Sequence, residues 1–97
     1  MLMNLKKDTS YKIIIEKNPD HFLKKLNKQN QKELKKLLKL IHSIPSNPYN
    51  SKSLLGKFQG LRRVKKGDYR IVFMINNKVV PHEIRILDIG KRKNVYK

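Results

Sequence analysis

The run at residues 61–73, L-R-R-V-K-K-G-D-Y-R-I-V-F, constrains this chain most. Lys66-Gly67-Asp68 is turn chemistry set between two short extended segments. Cations stud the first segment (Arg62, Arg63, Lys65, Lys66), and Arg70 opens the second, directly before an apolar run. A cation in that position is held by a packed strand rather than by a loose tail. The hairpin therefore predicts a phosphate-handling surface, with the remainder of the chain as its support.

The flanking segments indicate what that support is. Residues 11–16 (Y-K-I-I-I-E) are rich in β-branched residues and predict a strand, and the three consecutive isoleucines predict partial cover on both of its faces. Asn18-Pro19-Asp20 is a helix-start signal, with Asn18 as cap and Pro19 at the first helical position. A short helix to about Leu26 carries Phe22, Leu23 and Leu26 on one side, and residues 27–30, which hold no apolar side chain, predict a turn. In residues 31–43, Leu34, Leu37, Leu38 and Ile41 recur at the spacing of one helical face, with Lys32, Lys35, Lys36 and Lys39 opposite. Pro45 helps to stop this helix near Ile44, and the two helices read as an antiparallel hairpin.

Residues 46–51 are a loop by composition, and residues 54–60 lead into the hairpin. Tyr69 opens the most strand-like run, expected to lie centrally in the sheet. Asn76-Asn77 predicts a tight turn, and residues 79–89 return as the last strand, with Pro81 at a bulge or an edge. The expected fold is α+β: a strand, a helical hairpin, then a three-stranded antiparallel meander. The first strand joins the meander to give one four-stranded sheet, with both helices on one face and the other face left for function. Residues 1–97 are read as one domain, with 1–10 loosely ordered.

Charge narrows the partners. Twenty-four Lys and Arg against seven Asp and Glu give a net charge of +17, so polyanions are attracted strongly, nucleic acid foremost. Many of the helix lysines need do no more than solvate a surface. With no cysteine, disulfides, thiolate metal sites and cysteine nucleophiles are excluded, in keeping with a cytoplasmic protein. No apolar run approaches the ~20 residues that span a bilayer. His21, His42 and His82 lie on three separate predicted elements without a carboxylate cluster, so neither a metal nor another cofactor is expected. Asp68 and Asp88 read as turn and strand-end residues rather than as an acid/base pair.

What remains is a constellation of cations and tyrosine. RNA cleavage without a metal requires that the 2′-hydroxyl lose a proton, that the leaving 5′-oxygen gain one, and that charge on the phosphorane be stabilised. Arg and Lys suit the last task, and a Lys or Tyr crowded by cations can also act as a base.

The set Leu54-Leu55-Gly56, residues 63–73 and Gly90-Lys91-Arg92-Lys93-Asn94-Val95-Tyr96 resembles the RelE branch of the RelE/ParE toxin superfamily, its compact archaeal members especially. The resemblance extends over nearly the whole chain after Ser10. It implies a toxin of a type II toxin–antitoxin system: a metal-independent, ribosome-dependent endoribonuclease that cuts mRNA in the decoding site and is silenced by an acidic RelB-like antitoxin. Carried over residue by residue, it implies catalytic roles for Arg63, Lys65, Arg70, Arg92 and Tyr96. Arg62, Lys66, Lys91 and Lys93 are the expected RNA-binding cations around them. Strand parity selects Arg63 and Lys65 over Arg62 and Lys66. The chain departs from the family at Arg62, where an aromatic residue is common, and at Pro81. The alternatives are a ParE-like gyrase poison on the same fold and a non-enzymatic RNA- or ribosome-binding protein.

Overall fold

The computed structural model describes residues 11–91. In chain order these form β1 (Tyr11–Ile15), α1 (Lys17–Gln29), α2 (Gln31–Ser43), a 3-10 turn (Ile44–Ser46), β2 (Lys52–Ser53), a second 3-10 turn (Gly56–Phe58), β3 (Arg62–Lys66), β4 (Tyr69–Asn76) and β5 (His82–Lys91). The sheet order is β1-β5-β4-β3-β2. β1 runs parallel to β5, and the other pairings are antiparallel. The meander, the central position of β4 and the attachment of the first strand follow the expectation.

The sheet has five strands rather than four. The addition is the two-residue β2, paired with Arg62 and Arg63 at the β3 edge. Two residues are too few for any side-chain alternation to register in sequence, and so short an edge strand offers little template for further pairing.

Helix boundaries also shift. α1 begins at Lys17, behind Glu16 as N-cap, and Asn18 does not cap it. Pro19 lies inside the first turn, where its missing N–H has no intrahelical acceptor to lose. The expected four-residue turn shrinks to one residue, Asn30. Its N–H donates to the Leu26 carbonyl at 2.7 Å, and its side-chain oxygen accepts from the Glu33 N–H at 3.2 Å. A single Asn thus closes α1 and caps α2. The last strand begins at His82, not Val79. β5 pairs on both sides, and Pro81, which has no N–H to donate, stays in the connecting loop behind a cis peptide bond.

One face of the sheet carries the core. Leu23 and Leu26 of α1 and Leu37 and Ile41 of α2 pack with Ile71, Phe73, Ile84, Ile86 and Ile89. Ile13, Ile15, Val64, Tyr69 and Ile75 extend this cluster at partial burial. Within β5 the core residues fall at 84, 86 and 89, so strict alternation breaks once. The cause is a β-bulge: Val72 pairs with Asp88 and Phe73 with Ile86, which leaves Leu87 as the extra residue. Leu87 and Asp88 therefore both face away from the helices. Val72 is buried yet lies outside the core cluster, on that same second face.

Candidate functional site

Register brings three of the predicted catalytic cations together. Lys65 of β3 lies directly opposite Arg70 of β4, and Arg63 lies opposite Val72. All three alternate with core-facing Val64, Tyr69 and Ile71, so they stand on the helix-free face. Gly67, at φ +59°, forms with Asp68 the two-residue turn that sets this register.

The arrangement works against folding. Like charges directly opposite across an antiparallel pair are destabilising, and Lys65 and Arg70 form such a pair. No ion pair to a carboxylate relieves them among the described residues. Among the described residues two guanidinium nitrogens, Arg63 Nε and Arg70 Nη1, are buried without a hydrogen-bond partner. Buried donors of this kind are rare because each forfeits its hydration. A local rule broken without a compensating contact marks these residues as a candidate functional site.

The other predicted cations lie elsewhere. Arg62, opposite Phe73, turns to the helix side and braces a loop. Its Nε donates to Ser51 Oγ at 2.6 Å, its Nη2 donates to the Ser51 carbonyl at 2.9 Å and the Tyr49 carbonyl at 3.2 Å, and its guanidinium lies 5.2 Å over the Tyr49 ring. Arg62→Ala is expected to lower stability by ~1–3 kcal/mol, the range for hydrogen bonds to a charged group, and to leave the chemical step near wild type. Denaturant melts beside a cleavage assay check this; loss of cleavage in a stable variant would return Arg62 to the site.

Lys66 and Lys91 flank Tyr69, at the mouth of a groove of about 720 Å³ between α2 and the β3–β4 turn. Lys91 Nζ sits 5.8 Å over the Tyr69 ring, which meets Phe22 edge-on. These two cations face away from Arg63, Lys65 and Arg70. Arg92, Lys93 and Tyr96 lie outside the described residues.

Asp88 was not expected in the site. It shares the helix-free face, paired with Val72 in the same cross-strand row as Arg63 and one step along the face from the row of Lys65, Arg70 and Gly90. Burial pushes its carboxyl above the ordinary carboxylate range, against the Ile89 backbone hydrogen bond, which acts the other way. The ionised form is thus disfavoured by folding. Stability from this group is full below the ordinary carboxylate pKa and is lost as pH rises through the raised one. The signal that could have found Asp88 is the spacing of Ile84, Ile86 and Ile89, which betrays the bulge.

The fold is that of a known toxin class. The chain superposes on a chain of the RelBE2 toxin–antitoxin complex of Mycobacterium tuberculosis with a TM-score of 0.72, at 19% identity, covering 84% of this chain and 91% of the other. The family model for the ParE toxin of type II toxin–antitoxin systems (parDE) matches residues 14–96. The chain therefore belongs to the ParE toxin family, within the RelE/ParE superfamily, and is a toxin of a type II toxin–antitoxin system. No curated protein matches it in sequence.

Proposed function

We propose that this toxin is a metal-independent, ribosome-dependent endoribonuclease of the RelE type, acting in the cytoplasm on mRNA in the decoding site. The observation that carries the reading is the pair of buried, unpartnered guanidinium nitrogens on Arg63 and Arg70, beside Lys65. The RNA 2′-hydroxyl loses its proton and its oxygen attacks the adjacent phosphorus. The bond to the 5′-oxygen breaks, and that oxygen takes up a proton. Arg63, Lys65 and Arg70 hold the charge that grows on the phosphorane. Arg92 and Tyr96 complete the set, Tyr96 as a base or as a stacking partner for an unstacked base.

The Lys and Arg members supply no strong base at neutral pH, since a free Lys titrates near ~10.4. Naked RNA is therefore cut slowly, and the ribosome contributes by holding the 2′-hydroxyl in line. The partner that silences the toxin is an acidic antitoxin. The groove beside α2 supports this reading: four lysines (Lys36, Lys39, Lys66 and Lys91) outnumber the acids Glu33 and Asp68 around a floor that includes Leu40 and Tyr69, which suits an amphipathic acidic segment.

The match to the ParE toxin family favours a second reading, a gyrase poison on the same fold. One experiment separates them. Purified toxin is added to ribosomes programmed with a defined message, to the same message alone, and to gyrase with supercoiled DNA. Cuts within the ribosome-bound message, with little cutting of naked RNA, are the expected result. Stabilised DNA breaks with intact message would overturn it.

A further inference from the structure

We infer that Asp88 is a catalytic residue of this site: the general base that takes the 2′-hydroxyl proton. The inference rests on the ribonuclease reading and supplies what the described part of its cation set lacks, a carboxylate able to accept a proton.

Three observations place it there. The bulge turns Leu87 and Asp88 together onto the helix-free face, so that Asp88 stands in the cross-strand row of Arg63 and one step along the face from the row of Lys65 and Arg70. Bulges commonly re-aim a side chain beside an active site. Second, Asp88 is partly buried in a strongly basic chain yet forms no ion pair among the described residues. Glu16 and Glu83 are held by Arg85, Asp20 by Lys24 and Glu33 by Lys36, while Asp68 is exposed in a turn. Third, Gly90 lies between Asp88 and the end of β5 and faces Arg70 across the ladder, so no side chain from that position fills the space beside the carboxylate.

The charged groups that share the helix-free face with Asp88 are Arg70 from the adjacent β4, Arg63 and Lys65 from β3 one strand further on, and Arg85 on β5 itself. On the β1 side stands Glu16, whose N–H donates to the Ile86 carbonyl and whose carboxylate is already bound by Arg85. Desolvation, which raises the Asp88 carboxyl, brings it nearer the range where a base works well. The phosphate bound by the arginines sets the adjacent 2′-hydroxyl toward Asp88. The proton passes to a carboxylate oxygen as the 2′-oxygen bonds to phosphorus, and returns to solvent when the cyclic product leaves.

The test is single-turnover cleavage of ribosome-bound message from about pH 5 to pH 8, for wild type, Asp88→Asn and Asp88→Glu. Wild type should show an acid limb, rising about tenfold per pH unit, and then a plateau. Asp88→Asn should lose the limb and cut ~10²–10⁴-fold more slowly at the plateau. It should bind a 2′-deoxy message as tightly as wild type or more so, and should melt at the same temperature or higher. Asp88→Glu should keep a limb at reduced rate. Asp88→Ser serves as a second neutral variant. An Asp88→Asn toxin that cuts at the wild-type rate, or that keeps the wild-type limb while slowed, overturns the inference and leaves the ribonuclease reading standing. A wild-type protein that never cuts ribosome-bound message overturns both.

Discussion

Arg70→Ala is expected to slow cleavage of ribosome-bound message by about 10²–10³, the cost of removing one donor that stabilises transition-state charge, or ~3–4 kcal/mol. The fold should survive. Arg70 is the second residue of β4, and its side chain makes no hydrogen bond or ion pair with β3 or β5 among the described residues. Its removal relieves a like-charge pair, so the melting temperature should hold or rise. A stability gain joined to an activity loss is the mark of a residue kept for function. The measurement is growth arrest on induction and cleavage in vitro, with circular dichroism as control. A folded Arg70→Ala toxin at full activity would remove the arginine from the site.

Phe73→Ala should have the opposite signature. Phe73 is fully buried at the centre of the core, between β3 and β5 and beneath the helices. Truncating a buried Phe costs about 3–5 kcal/mol. A domain of this size has ~5–15 kcal/mol in total, so much of the margin disappears. At ~4–8 °C per kcal/mol the melting temperature should fall by tens of degrees. Activity should fall with the folded fraction and recover on cooling, which Arg70→Ala would not do. Phe73→Leu should be milder. A melting temperature within a few degrees of wild type would show that this core is not organised around Phe73.

The two variants divide β4 between its faces. Tyr69, Ile71, Phe73 and Ile75 hold the helices, while Arg70 and Val72 stand on the other side. This division was legible in the sequence, because an alternating strand after a Gly-Asp turn leaves one register that buries its apolar set. Periodicity placed α2 at residues 31–43, matching Gln31–Ser43. The order of elements was legible for the same reason: each carries its own apolar period.

The sequence by itself determined the chemistry available, which is a cation set without cysteine in a chain of charge +17, and the two faces on which that set is divided. Tertiary structure alone decided the rest. Arg62 and Arg63 are neighbours of the same charge, yet one is tied to Ser51 and Tyr49, from a loop eleven to thirteen residues away, while the other keeps an unpartnered nitrogen. No local rule distinguishes them, because the distinction depends on where a distant loop passes. β2 exists only because β3 offers it an edge. Asp88 reads as a strand-end acid until the pairing of Val72 with Asp88 and Phe73 with Ile86 leaves Leu87 over. A bulge is a property of two strands in register: the spacing of Ile84, Ile86 and Ile89 marks a break in alternation, and only the pairing shows which residue is left over.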